Sequence, residues 1–470
     1  MDKIKEENSK DKKIMKIIFK ILVQSLMLIN ILIAFGLNWA FEKFDNCTLE
    51  KILFQLSEPL NGTSDEVILD GVLNIACKGI ALWILLNVIY FIVFKLLKNK
   101  FKSEKCMNVI RIIIVLIVFI GIFTFSSIKS DLKGYIQSLS KVSILIEEYY
   151  VDTNNTNITF PEEKRNLIYI VLESMEVSFM DKENGGIMEE NLIPEITSLM
   201  KDNISFTNKE DGLGGAYDVA GTGWTIGSLA SQASGLPLKV AGFNSANDPN
   251  DNFMPGAKVL GDILEEQGYN QMFICGSPIE FGGRDDFYKQ HGDYEIFDYN
   301  RAVAENIYTE EKKNWGYIDN LLYEYAKERI LTLNSEDEPF NVTLLTADTH
   351  HPDGYFCEKC ENKYEDKYQN VISCASKQVY EFVEWIKGQE FYENTTIVIV
   401  GDHPSMATCF SSLVPEDYKR TTVNCFINSA IKLENTNVRE LTTMDIFPTI
   451  LASLGAQIEE DRLGIGTNLF

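Results

Sequence analysis

The sequence predicts an α/β protein, with a mostly parallel sheet covered by helices on both faces and an N-terminal helical membrane region ahead of it. Three observations carry this. Apolar runs long enough to cross a bilayer fall within the first 128 residues. From residue 166 onward, short runs rich in Val, Ile and Leu alternate with helical patterns, as in a parallel sheet joined by crossover helices. Charge divides at the same place. Residues 1–130 hold 17 Lys and Arg against 12 Asp and Glu, whereas residues 131–470 hold 26 against 56. So acidic a C-terminal part repels polyanions, which excludes nucleic acid as a partner.

The membrane region is expected to contain three spans, at about 21–41, 71–97 and 107–127. Ile21 to Phe41 is uncharged over 21 residues, and about 20 residues of helix cross a bilayer core. No small-residue cleavage site follows it, so it reads as an anchor and not a signal peptide. Lys78, Lys95 and Arg111 punctuate the other two runs and can extend toward headgroups. The tail carries Lys3, Lys5, Lys10, Lys12, Lys13 and Lys16, and the loop before the third span carries Lys98, Lys100, Lys102 and Lys105. Basic flanks stay in the cytoplasm, so three spans leave everything after Ser127 outside. Residues 129–165 read as a juxtamembrane helix followed by a linker rich in Asn and Thr around Pro161. Residues 166–470 form the extracytoplasmic domain.

Four buried strands are expected in that domain: Leu167–Leu172, Tyr269–Cys275, Val342–Thr346 and Thr396–Val400. Helical patterns around Pro194–Lys201, Val259–Gln267, Ile318–Leu333 and Ser376–Lys387 separate them. Each strand is followed by reactive residues. The first runs into Glu173, and a Gly-rich loop with Arg284 follows the second. The third leads to Asp348, Thr349, His350 and His351, and the fourth to Asp402 and His403. Ligands of open α/β sheets sit at the carboxyl ends of the strands. The chain has only four histidines, at 291, 350, 351 and 403. His350 and His403 are therefore read as site residues, while His351 and His291 suit a site or a structural role equally.

A hydroxyl candidate lies in Gly221-Thr222-Gly223-Trp224-Thr225-Ile226-Gly227-Ser228, a Gly-rich turn entering a helix. A helix N-terminus offers free N–H groups to a phosphate, and a divalent metal can activate a hydroxyl there. Thr225 lies closer to the helix start than Thr222 and is favoured, although threonines at such places often only cap the helix. Glu173, Asp402 and His403 supply oxygen and imidazole donors suited to Mn²⁺ or Zn²⁺. Of the nine cysteines, Cys357-x-x-Cys360 has no second CxxC to complete a zinc knuckle. A bridge from Cys357 or Cys360 to Cys374 is expected instead.

The outer domain, roughly Asn166 to Phe470, resembles the sulfatase-like transferases of the alkaline phosphatase superfamily. These include lipoteichoic acid synthases, phosphoethanolamine transferases and phosphoglycerol transferase I. The resemblance to the last is carried by GTGWTIGSLASQASGLPL (Gly221–Leu238), GDILEEQGYNQMF (Gly261–Phe273), FGGRDDFYKQHG (Phe281–Gly292), NWGYID (Asn314–Asp319) and DTHHPDG (Asp348–Gly354). It implies an alkaline-phosphatase-like sheet and one divalent ion, Mn²⁺ first, with Zn²⁺ or Mg²⁺ as alternatives, on Glu173, Thr225, Asp402 and His403. It implies Thr225 as nucleophile, His350 as a catalytic and phosphate-contacting residue and Arg284 as a phosphate ligand; His351, next in the chain to His350, is read as a further substrate-binding residue. It implies phosphoglycerol transfer from phosphatidylglycerol at the membrane to a glycan or polyol, through a phosphothreonine. A lipoteichoic-acid-type synthase or a phosphoethanolamine transferase is the alternative. Where lipoteichoic acid synthases carry Trp two residues before the arginine, this chain has Gly282. Cys275-Gly-Ser-Pro278 lacks the arginine of a sulfatase formylglycine motif, and four histidines suffice for one metal site, not two.

Overall fold

The computed structural model describes residues 2–45, 47–57, 63, 65–98, 104–140, 144–238, 253–313, 315–433 and 438–470. Of the residues singled out above, Lys100, Lys102 and Asn314 lie outside these, as do the side chains of Lys3, Lys5, Lys10, Lys12, Lys13, Lys16, Lys98, Lys105 and Arg111. The chain forms two compact units. One comprises Met1–Lys43, Cys47–Leu49 and Asp65–Val142, and the other Phe44–Asn46, Glu50–Ser64 and Ser143–Phe470.

The first unit is helical. Three helical stretches, Ile17–Lys43, Asp65–Val93 and Ile112–Lys129, are long and apolar enough to cross a membrane. Their side chains are largely exposed Ile, Leu, Val and Phe, as expected of helices whose surroundings are apolar. Polar groups pair between helices: Asn30 Nδ2 donates to the Phe119 carbonyl at 3.0 Å, and Trp39 Nε1 to Asp70 at 2.7 Å. A π-helical turn, Val72–Cys77, interrupts the second stretch.

The second unit is built on a six-stranded sheet. Its strands are β1 (Asn166–Leu172), β2 (Asn270–Cys275), β3 (Glu295–Phe297), β4 (Phe340–Leu345), β5 (Thr395–Gly401) and β6 (Asn424–Ile427). Their order is β3-β2-β4-β1-β5-β6, and all neighbours are parallel except β6, which runs antiparallel to β5. The four expected strands are present. The two edge strands escaped notice because three or four residues are too few to show a period. Along β1 alternate residues serve different cores. Ile168, Ile170 and Leu172 pack into one cluster, and Leu167, Tyr169 and Val171 into the other. Successive strand side chains point to opposite faces, so burial of both faces makes the unit three-layered and explains the unbroken apolar runs. The expected helices appear as Pro194–Asp202, Leu260–Glu266, Asp319–Leu333 and Lys367–Lys387. The last starts earlier than the apolar pattern suggests, because the Asp366 side chain accepts from the Gln369 N–H and caps it.

His291 belongs to this scaffold. Its Nδ1 lies 3.0 Å from Asp262 Oδ2 and its Nε2 2.7 Å from the Phe253 carbonyl. Both partners accept, so the two bonds are made together when the ring carries both protons. Burial opposes the charge, but the bonds to Asp262 and Phe253 together raise its pKa above the usual 6.5. A raised pKa stabilises the folded state while the ring is protonated. That contribution is full below pH 6.5 and fades as pH rises through the higher folded-state value. We expect His291→Gln to remove this part of the pH dependence, as read from urea unfolding midpoints across neutral pH. Identical slopes for both proteins would overturn the assignment.

Candidate active site

Strand register assembles the site. Leu172 pairs with Gly401, and Val171 with Leu345. The residues that follow, Glu173 and Asp402, therefore leave adjacent central strands side by side, with the β4 loop on the other flank of β1. The Thr346 hydroxyl accepts from the Glu173 N–H at 2.9 Å, and the Leu172 carbonyl from the Asp402 N–H at 3.1 Å. After Glu173 the chain turns through Ser174 at φ 56°, a left-handed conformation that non-glycine residues rarely adopt. The elbow passes so close to β5 that a Cβ on Gly401 would lie 1.9 Å from the Met175 carbonyl oxygen. Glycine is thus required immediately before Asp402.

Glu173, Asp402 and His403 are almost wholly buried, and each offers a donor atom within 4.8 Å of the others. His403 Nε2 lies 3.4 Å from Asp402 Oδ2 and 3.6 Å from Glu173 Oε1. Its Nδ1 is 2.9 Å from the Pro404 carbonyl. A carbonyl can only accept, so Nδ1 carries the proton and the Nε2 lone pair faces the carboxylates, the arrangement of a metal-ligating histidine. Asp402 Oδ1 accepts from the N–H groups of Ser174 and His403, both at 2.7 Å, while its buried Oδ2 has no hydrogen-bond partner. Burial pushes the Asp402 carboxyl up to about 6, and burial with the charge of Asp402 raises that of Glu173. Two crowded carboxylates, an inward-facing imidazole lone pair and an orphaned oxygen form a donor set that fits a divalent cation.

Thr225 joins this cluster. It is the first residue of the Thr225–Ser234 helix, half-buried, and its Oγ1 donates to Glu173 Oε2 at 3.3 Å. The preceding residue, Trp224, makes no side-chain cap, so the first-turn N–H groups have no side chain closing them at that position. Thr222 is fully buried, and its hydroxyl is tied to the backbone of Val219 at 2.8 and 3.1 Å. Neither threonine caps the helix, and only Thr225 meets the carboxylates.

The β4 loop brings His350. The buried Asp319 fixes this loop by accepting from the N–H groups of Ala347 and Asp348 at 2.8 and 2.9 Å. His350 Nδ1 lies 3.0 Å from the His351 carbonyl, so Nε2 is again the free nitrogen. Burial, the largest influence, holds the ring's pKa below the usual value although the charge of Glu173 opposes this, which favours the neutral imidazole. Its ring packs against Trp315 at a tilt of 56°, centroids 4.3 Å apart, and Trp315 packs on Phe281 at 5.1 Å. The His351 ring lies beside that of His350, centroids 4.1 Å apart and tilted by 36°. Arg284 is buried, its guanidinium donating to the Phe281 and Pro278 carbonyls and to Ser277 Oγ at 2.7–2.9 Å. Its charge reaches His350. Glu173, Thr225, Asp402 and His403 thus converge, while His350, Arg284 and His351 form a second group beside them.

Four supporting residues, Glu176, Arg420, Ser405 and Tyr368, escaped sequence reasoning. Glu176, fully buried, accepts from Arg420 Nε at 2.8 Å and from the Ser405 N–H at 3.0 Å. Arg420 also donates to the Ser405 carbonyl at 2.6 Å. The Tyr368 hydroxyl, 2.6 Å from Ser405 Oγ, donates to the Thr349 carbonyl at 2.9 Å. This network joins the loop after β5 to the loop after β4. Its only sequence signal was a second acid three residues after Glu173. Trp315 did stand in a quoted motif, but nothing in the sequence placed it against His350. The expected bridge to Cys374 is absent: Cys357, Cys360 and Cys374 are all free thiols.

A hydroxyl at a helix start thus faces buried carboxylates and an imidazole at the carboxyl edge of a parallel sheet. The chain belongs to the sulfatase family, whose profile matches residues 165–456. It is 29% identical over 320 residues to phosphoglycerol transferase I of Salmonella choleraesuis, covering 66% of this chain and 39% of that one. The chain thus matches about two-fifths of the length of that curated relative. An alkaline phosphatase superfamily protein from Vibrio parahaemolyticus shares the fold at TM-score 0.52 and 22% identity, covering 70% of this chain and 77% of that one. So does the integral membrane lipooligosaccharide phosphoethanolamine transferase A of Neisseria meningitidis, at TM-score 0.53 and 14% identity, covering 92% and 84%.

Proposed function

We propose that the chain is a multi-pass membrane enzyme that moves phosphoglycerol from phosphatidylglycerol to a glycan or polyol hydroxyl outside the cytoplasm. The observation that carries this is the Thr225 hydroxyl at 3.3 Å from Glu173 within the buried Glu173–Asp402–His403 cluster. The lysine-rich tail supports the orientation, and the named curated relative supports the cargo. A divalent cation on Glu173, Asp402, His403 and Thr225, proposed as Mn²⁺ with Zn²⁺ or Mg²⁺ as alternatives, would supply Lewis-acid stabilisation of oxygen charge.

The chain's own residues divide the remaining work. Thr225 turns its proton toward Glu173 and an oxygen lone pair toward the open side. In the first step a Thr225 Oγ1–phosphorus bond forms and the phosphorus–oxygen bond to diacylglycerol breaks. In the second, the acceptor hydroxyl replaces Thr225 on phosphorus. The proton lost by Thr225 goes to the diacylglycerol oxygen, and the acceptor's proton returns to Thr225. His350, neutral with Nε2 free, relays both. Arg284 offsets charge on the phosphoryl oxygens, and the Trp315 face with His351 flanks the glycerol headgroup. The test incubates the full chain in detergent with Mn²⁺ and radiolabelled phosphatidylglycerol. Diacylglycerol should appear, with label moved to the acceptor. Turnover of phosphatidylethanolamine instead would overturn the headgroup, and release from soluble phosphodiesters alone would overturn lipid transfer.

A further inference from the structure

Away from this cluster, three cysteine sulfurs converge where the loop after β4 meets the Lys367–Lys387 helix. Cys357 Sγ lies 3.6 Å from Cys360 Sγ and 3.8 Å from Cys374 Sγ, and all three fall within 4.8 Å of one another. A disulfide would require about 2.05 Å. A tetrahedral ion with metal–sulfur bonds of about 2.3 Å holds its sulfurs about 3.8 Å apart. The Cys357 N–H donates to Cys360 Sγ at 3.3 Å, while the Cys360 N–H donates to the Cys357 carbonyl at 3.1 Å. The tight turn between them thus already supports charge on sulfur. Ile318 packs against the cluster, with Leu321 and Tyr355 around it.

A fourth donor stands one helical turn beyond Cys374. Gln378 is 4% exposed, and its amide end lies 3.2 Å from Cys374 Sγ and 4.0 Å from Cys357 Sγ. Its Oε1 is buried without a hydrogen-bond partner. Amide oxygen and nitrogen are interchangeable in shape. Rotating the amide turns the orphaned oxygen onto the sulfurs and completes four donors.

The structure assigns to Cys357, Cys360, Cys374 and Gln378 a second metal site, for a zinc-type ion on three thiolates and one amide oxygen. Soft thiolates favour zinc over the hard ions suited to the oxygen-rich cluster. The site pins the loop that starts at His350 to the Lys367–Lys387 helix. It is structural, and it does not depend on the proposed transfer reaction.

The test loads the full chain, purified with reductant, with Co²⁺. A thiolate-to-cobalt charge-transfer band is expected, lost in Cys374→Ser and kept in Asp402→Asn, because the other cluster contains no sulfur. X-ray absorption of the Zn²⁺ form should show sulfur at about 2.3 Å. Gln378→Leu keeps all three thiols and should weaken Zn²⁺ binding about 10- to 100-fold, a readout that survives if the cysteine variants misfold. No band from the reduced protein, or a Cys374 peptide disulfide-linked to Cys357 or Cys360 in protein purified without reductant, would overturn the site.

Discussion

Replacing Thr225 with alanine is expected to abolish diacylglycerol release from phosphatidylglycerol, by about 10⁴-fold or more, as for other nucleophile deletions. Stability should barely change. The hydroxyl is half-buried and makes one hydrogen bond, to Glu173 at 3.3 Å, so its loss costs about 1 kcal/mol or less. Divalent-ion binding should weaken but persist on Glu173, Asp402 and His403. Thr225→Ser, which keeps the oxygen, should retain partial turnover. The informative comparison is diacylglycerol release together with Mn²⁺ affinity and the urea midpoint. Release by the alanine variant at a rate close to the parent's would refute Thr225 as the nucleophile. Loss of folding along with activity would mean that the threonine is structural.

Replacing Arg420 with methionine is expected to destabilise the globular unit by about 3–5 kcal/mol, because it leaves the Glu176 carboxylate buried and unpaired. Glu176 is fully buried and meets the guanidinium through two of its nitrogens. Lysine should not rescue, since one ammonium cannot reproduce the planar fork. A Glu176→Met, Arg420→Met pair should recover much of the loss, because no fully buried charge is then stranded; Asp45, which Arg420 also meets at 2.9 Å, is partly exposed. Denaturant unfolding of the three proteins measures this. If the double variant were as unstable as the single one, the cost would lie in packing and not in charge. Transfer activity should fall even in a refolded double variant, since Ser405 and, through Tyr368, the His350 loop lose their tether.

The reach of sequence reasoning differed by element. The central strands were legible because a strand buried on both faces is an unbroken apolar run, and the residue after each run is where a ligand edge must be. Glu173, Asp402 and His403 were found that way. Edge strands β3 and β6 were too short to carry a period. His291 carried no sign of its role, because its partners Asp262 and the Phe253 carbonyl are distant in sequence.

The sequence by itself determined the class of fold, three apolar helical stretches, the acidity of the C-terminal part and the ligand types offered at the strand ends. Local patterning and charge need no contacts to be read. Only the tertiary structure decided how those residues combine. The pairing of Leu172 with Gly401 sets two carboxylates side by side, and the buried turn around Thr222 leaves Thr225 as the hydroxyl at the cluster. The fold also gathers Cys357, Cys360 and Cys374 at metal-ligand spacing where a bridge was expected. Register and packing between distant segments are properties of the folded chain, so no local pattern encodes them.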